Sequence, residues 1–301
     1  MIFMLWKQWS GKMETGILKN KKKFKWTYEK TILTPYIILL LVLILIPMIL
    51  IFFYSIIDQE SELPIYTITF KNYIAFFNNQ SATRALLKSI LLAVVSTIFC
   101  VIFAYPISYF IARRSPKTQA TLILLVTAPM WVNMLLRTMA VKQIFEGPLL
   151  IILRKIHILG ENDKILGSYF AVVFGMVYNY LPYMVLPIYT TLSKLDEKLI
   201  EASTDLGASK GQTFRRVIMP LSIPGVLSGV TIVFLSAATT IVISKYMGDG
   251  KFVLIGNIIE TEFITNSAWG NGSAISMILL VIILLILWLT NKATKKAGGD
   301  E

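Results

Sequence analysis

The chain has 301 residues, of which 55% are hydrophobic and 15% charged, with 29 Lys plus Arg against 17 Asp plus Glu. Mean hydropathy is +0.68, and soluble domains carry about 25% charged residues, so the chain has too little charge to cover itself with water-facing side chains. That excludes intrinsic disorder and points to a membrane protein. One Cys and one His exclude an intramolecular disulfide and leave no ligand set for a metal centre, so no metal or other cofactor is expected.

Residues 1–31 form a Lys-rich leader with eight lysines between Lys7 and Lys30, and Met13 is a second candidate start. A bilayer core of about 30 Å needs roughly 20 predominantly apolar helical residues. Six stretches meet that requirement, at about 32–57, 86–111, 119–141, 166–190, 223–246 and 273–291, and a tail follows over 292–301. The first is too long for a cleavable signal and no small-residue cleavage site follows it, so it is expected to stay in the mature chain. The middle four contain Pro, Asn, Ser and Thr, which suits helices that face one another or a pathway. The expected architecture is an all-α integral membrane protein of six transmembrane helices over 32–291.

By the positive-inside rule the Lys-rich leader fixes the N-terminus in the cytoplasm. Alternation then places 19 of the 29 cations inside and 7 outside, with Lys88, Arg137 and Lys245 within the spans, so both termini are expected to be cytoplasmic. With the acids included, the inner face nets +11, the outer loops −2 and the spans +3. The basic excess therefore records orientation and gives no support to nucleic-acid binding.

No carboxylate falls within any of the six stretches, which argues against a proton relay at membrane depth. His157, beside Arg154 and Lys155, offers no base for an intramembrane hydrolase. The GxxxxGK[ST] phosphate loop is missing, so a pump built on this chain needs a partner ATPase. An ATP-independent channel or secondary carrier competes with that reading, because ion sites made of backbone carbonyls leave no trace in sequence. A membrane-bound enzyme would need a nucleophile and base that the sequence does not supply.

The largest loop expected on the cytoplasmic side covers residues 195–221. Asp196 is a good N-cap, and Leu195, Leu199, Ala202 and Leu206 fall at helical spacing on one face. Gly207 stands where a left-handed terminator is wanted, and Ser209 to Gln212 has the spacing of a capping box opening a second helix. Pro220 and Pro224 are expected to limit that helix before the fifth span. This loop also resembles the EAA signature of ABC-importer permeases: E-A-A, three residues, G, nine residues, I, one residue, L-P. Here the pattern reads Glu201, Ala202, Ser203, Gly207, Val217, Met219 and Pro220, with Ser203, Val217 and Met219 as departures of conserved size.

The resemblance implies the type I ABC-importer permease fold and a chain that is not itself an enzyme. It implies that Glu201, Ala202, Ser203, Asp205, Gly207 and Pro220 belong to a coupling helix seated in a cleft of an ATP-binding subunit. It also implies the partners: two ATPase copies, a second, non-identical permease subunit, and an extracellular binding protein or domain. The competing reading is a plain amphipathic interfacial helix, and Arg215 and Arg216 read as positive-inside anchors.

Stretches 128–138, 180–189 and 246–259 resemble the permeases of bacterial spermidine/putrescine importers, which implies a polyamine substrate. Permeases for other cations, anions and sugars share the loop, so another small solute stays open. A polyamine carries ammonium groups on an apolar chain, and its path should combine acceptor oxygens with aromatic faces. The candidates are Trp131 and Asn133, then Tyr178, Asn179, Tyr180 and Tyr183, and near the outer mouth Asp249, Glu260 and Glu262. Helix packing and interfacial anchoring compete for the aromatics, and a solvated loop for the acids. Arg137 is expected to snorkel to the outer headgroups or pair with a partner subunit. Gly225 and Gly229 form a GxxxG that favours close helix approach. A chain without carboxylates in its spans is expected to leave any acidic midplane site to the second permease.

Overall fold

A computed structural model of the chain describes residues 33–58, 67–158, 160 and 163–296. The Lys-rich leader, Met13 and the end of the tail lie outside the described residues. The chain divides between Tyr54 and Ser55 into two units. The described part of the first is nearly all of helix α1, Leu33–Ser55, whose mean hydropathy of 3.3 suits a membrane span.

The described part of the second unit is largely helical. In chain order it holds α2 (Lys71–Asn78), α3 (Gln80–Ala112), α4 (Pro116–Thr127), α5 (Met134–Glu146), α6 (Pro148–Lys155), α7 (Tyr169–Ser193) and α8 (Glu197–Asp205). There follow α9 (Lys210–Thr213), α10 (Met219–Ala238), α11 (Val242–Met247), α12 (Ile255–Glu260) and α13 (Trp269–Lys296). Among the described residues of the whole chain, α1 included, five helices are long and apolar enough to cross a membrane, or six if one bent pair counts as a single span.

Helix α7 packs against both α3 and α10, and the three make the core. Small residues let them approach: Ala93, Cys100 and Ala104 on α3 are buried against Val172, Met176 and Val185 of α7 in one apolar cluster. Lipid tails offer no hydrophobic contrast, so packing and interhelical hydrogen bonds hold such helices together. Ser108 Oγ donates to the Val185 carbonyl at 3.0 Å, and the Tyr180 hydroxyl donates to the Ser236 carbonyl at 3.0 Å. A second cluster of Phe76, Leu86, Ile255, Ile275 and Leu279 joins α2, α3, α12 and α13.

Two of the expected spans differ from the structure. The third, expected as one helix over 119–141, is broken: residues Pro116–Trp131 and Met134–Lys155 meet at 93°. The chain passes through a 3-10 turn at Ala128–Trp131 and an extended Val132, and Asn133 then caps α5 by accepting from Leu135 N at 2.8 Å. Pro129 and an N-cap amide outweigh the apolar run. The fifth, expected over 223–246, ends at Ala238, and α11 restarts as a separate helix. Asn257 of α12 supports that break, donating to the Ile241 carbonyl at 3.3 Å and accepting from Ser244 Oγ at 2.6 Å.

The start of the fifth span also differs. Residues Lys210–Ala238 form one continuous helix through both Pro220 and Pro224, where the prolines were expected to separate two. A π turn at Phe214–Ile218 accounts for the passage through Pro220, while Pro224 is carried inside α10. Pro220 lies in the first turn after it, where the carbonyl register has already slipped and a missing N–H costs little.

Candidate functional site

The α7–α10 connection folds as helix, left-handed turn, helix. Asp196 caps α8 by accepting from Lys198 N at 3.0 Å. Gly207 ends it at φ +80°, with its N–H donating to Thr204 O at 2.9 Å and the Ala208 N–H to Ser203 O at 3.1 Å. Those two bonds are the Schellman pattern, which satisfies the last helical carbonyls. Ser209 opens α9 with a reciprocal capping box, its N–H donating to Gln212 Oε1 at 2.8 Å and its Oγ accepting from Gln212 N at 3.4 Å.

The apolar stripe of α8 faces away from the rest of the unit. Ile200 packs on the core while Leu199 and Ala202 stay exposed, and Leu206 is 89% exposed at the tip of the turn. Glu201 and Asp205 lie exposed on the same helix. The expected face is therefore divided: Leu195, just ahead of the helix, packs on the core, while Leu199, Ala202 and Leu206 point outward, where they are open to another molecule.

Sequence reasoning missed how the loop is tied to the helices behind it. Ser203 Oγ and Thr213 Oγ1 share a hydrogen bond of 2.9 Å between α8 and α9. The next residue, Phe214, sets its ring edge-on to Tyr105 and Tyr109 of α3, with centroids 5.8 and 5.5 Å away. The Tyr105 hydroxyl bonds Ser222 Oγ at 2.8 Å. The signal available was an aromatic just beyond the capping box with two tyrosines at i, i+4 on α3, which only tertiary contact makes meaningful. A Ser203→Ala, Thr213→Val double-mutant cycle should return a coupling energy of about 1 kcal/mol in melting of the purified chain. Additivity of the two substitutions would show that the bond does not hold the loop.

The candidate path residues do not converge on one cavity. Trp131 lies exposed at the α4–α5 bend, and Asn133 is engaged as a cap. Tyr178 lines an apolar groove of about 520 Å³ with Phe99, Phe103, Phe174 and Leu181. Asn179 is 1% exposed and donates to Thr138 Oγ1 at 3.2 Å and Gly175 O at 2.9 Å. Tyr180 and Tyr183 stand edge to face at 6.4 Å. Asp249 occupies an exposed turn at φ +46°. Glu260 pairs with Lys245 at 3.7 Å, and Glu262 accepts from Asn266 Nδ2 at 3.2 Å. Glu262 also lines a small cleft with Asn72, Asn79 and Asn271, which adjoins a cleft of about 210 Å³ carrying Asp58 and Lys71.

Two more expectations meet the structure here. Gly225 and Gly229 lie on α10 against Pro187, Thr191 and Met184 of α7, the close approach that their spacing predicts. Arg137 does not snorkel: it is only 7% exposed, on the face of α5 that also buries Thr138, Val141 and Phe145. Packing of α5 on α7 and α11 encloses it.

Comparison with known proteins agrees with this architecture. Residues 91–291 match the family described as "Binding-protein-dependent transport system inner membrane component". The chain is 35% identical over 259 residues to the spermidine/putrescine transport system permease protein PotB of Haemophilus influenzae, covering 85% of this chain and 90% of that one. It is 36% identical over 218 residues to PotB of Escherichia coli, covering 71% and 79% respectively. Among solved structures, a bacterial ABC transporter that imports the acidic polysaccharide alginate superimposes with a TM-score of 0.68 at 16% identity, over 93% of this chain and 98% of that one. The MetNI methionine ABC transporter gives 0.57 at 17% identity over 71% and 95%. Likeness at such identity is one of fold, and it covers the helices that present the α8–α9 loop. The chain belongs to the family of binding-protein-dependent transport system inner membrane components, multi-pass transport proteins of the cytoplasmic membrane.

Proposed function

We propose that this chain is the permease subunit of an ATP-driven polyamine importer, crossing the membrane six times with both termini in the cytoplasm. The observation that carries the coupling role is the outward apolar stripe Leu199, Ala202 and Leu206, held rigidly by a Schellman turn and a capping box. An apolar face kept exposed beside Glu201 and Asp205 suits a cleft in a partner. In this reading the α8–α9 loop docks one of two ATPase copies, and Phe214 passes its displacement to α3. Domain closure in the ATPase then switches the spans between outward and inward openings.

The substrate assignment is supported by relatives named for spermidine and putrescine, which align with most of the chain. Helices α7, α10 and α11 carry no Asp or Glu, so the deepest acidic contact is assigned to a second, non-identical permease. Here Tyr178, Tyr180 and Tyr183 supply aromatic surface, while Asp249, Glu260 and Glu262 supply acceptors on the outer side, where an extracellular binding protein delivers the solute. The test is reconstitution of the full complex in liposomes, with ATP hydrolysis followed as the binding protein is loaded with spermidine, putrescine, an amino acid or an inorganic anion. Stimulation by the polyamines alone is expected. Stimulation only by another solute would move the chain to a different importer. Failure of an ATPase to co-purify through residues 195–221 would return it to the channel or carrier class.

A further inference from the structure

Arg137 is a buried cation without a partner among the described residues. Its Nε and Nη1 are shielded from solvent and bond nothing, and Asn179 Oδ1 is likewise buried and unpartnered. Two contacts connect these groups. Thr138, next to Arg137, receives the Asn179 amide at 3.2 Å, and Arg137 and Thr240 both lie close to the Tyr180 phenol. The cluster therefore sits where α5 meets α7 and the α10–α11 break.

A guanidinium cannot shed its proton in a protein, so burial leaves it charged. A charge held out of water without a counter-charge is strongly unfavourable. The position makes this worse, because Arg137 lies in the first turn of α5, its N–H bonded to the Asn133 carbonyl at 3.1 Å, where the helix end is itself partly positive. Among the described residues no carboxylate pairs with Arg137. Helices α7, α10 and α11 have none, and Glu146, at the far end of α5, pairs with Lys142 at 3.6 Å. A cationic substrate would add repulsion.

We propose that the Arg137 guanidinium is an anion receptor at the α5–α7 contact, filled in the assembled transporter by a carboxylate of the second permease or by a small inorganic anion. The unsatisfied guanidinium nitrogens Nε and Nη1 are donors that a carboxylate or a small anion can accept from. The carboxylate source rests on the assembly proposed above.

Melting of the purified complete complex tests this, and because melting needs no substrate, failure of the polyamine reading shows in the ATPase assay instead. Arg137→Met keeps the bulk and removes the charge. If a partner carboxylate occupies the receptor, the exchange orphans that acid and lowers the melting temperature by about 10 °C, while replacing chloride by gluconate leaves the wild type unmoved. If a free anion occupies it, gluconate lowers the wild-type melting temperature and leaves Arg137→Met unchanged. Arg137→Lys, which retains the charge, is expected to recover part of the loss in either case. Two outcomes overturn the proposal. One is an Arg137→Met complex that melts at or above the wild type while the wild type ignores the anion. The other is Lys proving as damaging as Met, failure to accumulate included, again with no anion effect.

Discussion

Gly207→Val is expected to lower ATP-driven uptake roughly tenfold, while Gly207→Asn stays near the wild type and both variants reach the membrane in normal amounts. The turn at Gly207 has φ +80°, and a Cβ added there meets nothing within 4 Å. The penalty is therefore one of backbone conformation alone, since no neighbour is in the way. A β-branched residue in the left-handed region is strained by about 2 kcal/mol, whereas Asn adopts that region readily. Strain of that size at an exposed loop does not unfold a protein whose core is elsewhere. It depopulates the Schellman geometry that sets the angle between α8 and α9, and a docking-competent fraction reduced to about a tenth lowers apparent coupling in proportion. Uptake and ATP hydrolysis in vesicles check this, with solute capture by the binding protein as the unaffected control. If Val and Asn are equally active, the turn does not set the coupling geometry. If both fail, the ATPase is in direct contact with that side of the turn and the defect is steric.

The local devices of this loop were legible in sequence because each depends on residues within one turn of one another. The Asp196 cap, the Gly207 terminator and the Ser209–Gln212 box all form as their spacing predicts. Apolar length likewise located the long helices. What composition does not encode is where a run of apolar residues bends. The expected third span is long and apolar enough to cross a membrane, yet Pro129 and the Asn133 cap turn the chain by 93°, and Pro220, expected to stop a helix, follows directly on a π turn that carries the helix through. The direction of the amphipathic face was also hidden. Periodicity places Leu199, Ala202 and Leu206 together but does not say whether the stripe meets the body or a partner. The path residues were chosen by chemical type, and the structure disperses them: Asn133 serves a helix end, Asn179 an internal contact with Thr138, and Glu260 an ion pair with Lys245. Arg137 was expected at a headgroup or against a partner subunit; the headgroup position was inferred because depth was judged along the helix, while its burial comes from α7 and α11 packed beside it.

The central helix pair gives the second large effect, and an order within it. Gly225→Ala is expected to destabilise the protein by about 3 kcal/mol and Gly229→Ala by about 1 kcal/mol, although both sit in the same GxxxG. At Gly225 the added methyl would fall 2.7 Å from the Pro187 carbonyl oxygen and against the Thr191 side chain. One obstacle is backbone; the other is a β-branched side chain whose hydroxyl already donates to Pro187 O at 3.0 Å. Neither yields without separating α7 from α10, the contact on which the core depends. At Gly229 the nearest atom is Met184 Sδ at 2.5 Å, followed by Pro187 Cγ at 3.2 Å. The closest contact is thus the end of an unbranched thioether, which can shift, while Pro187 Cγ and the Met184 carbonyl oxygen at 3.3 Å need give by only a few tenths of an ångström. Thermal melting in detergent should therefore separate the two variants by several degrees, with Gly225→Ala the lower. Adding Thr191→Ala to Gly225→Ala should recover part of the loss and no more, because the Pro187 carbonyl stays in place. Equal losses at the two glycines would mean that the α7–α10 crossing tolerates separation, and full recovery by Thr191→Ala would mean that the backbone carbonyl is not the limiting contact.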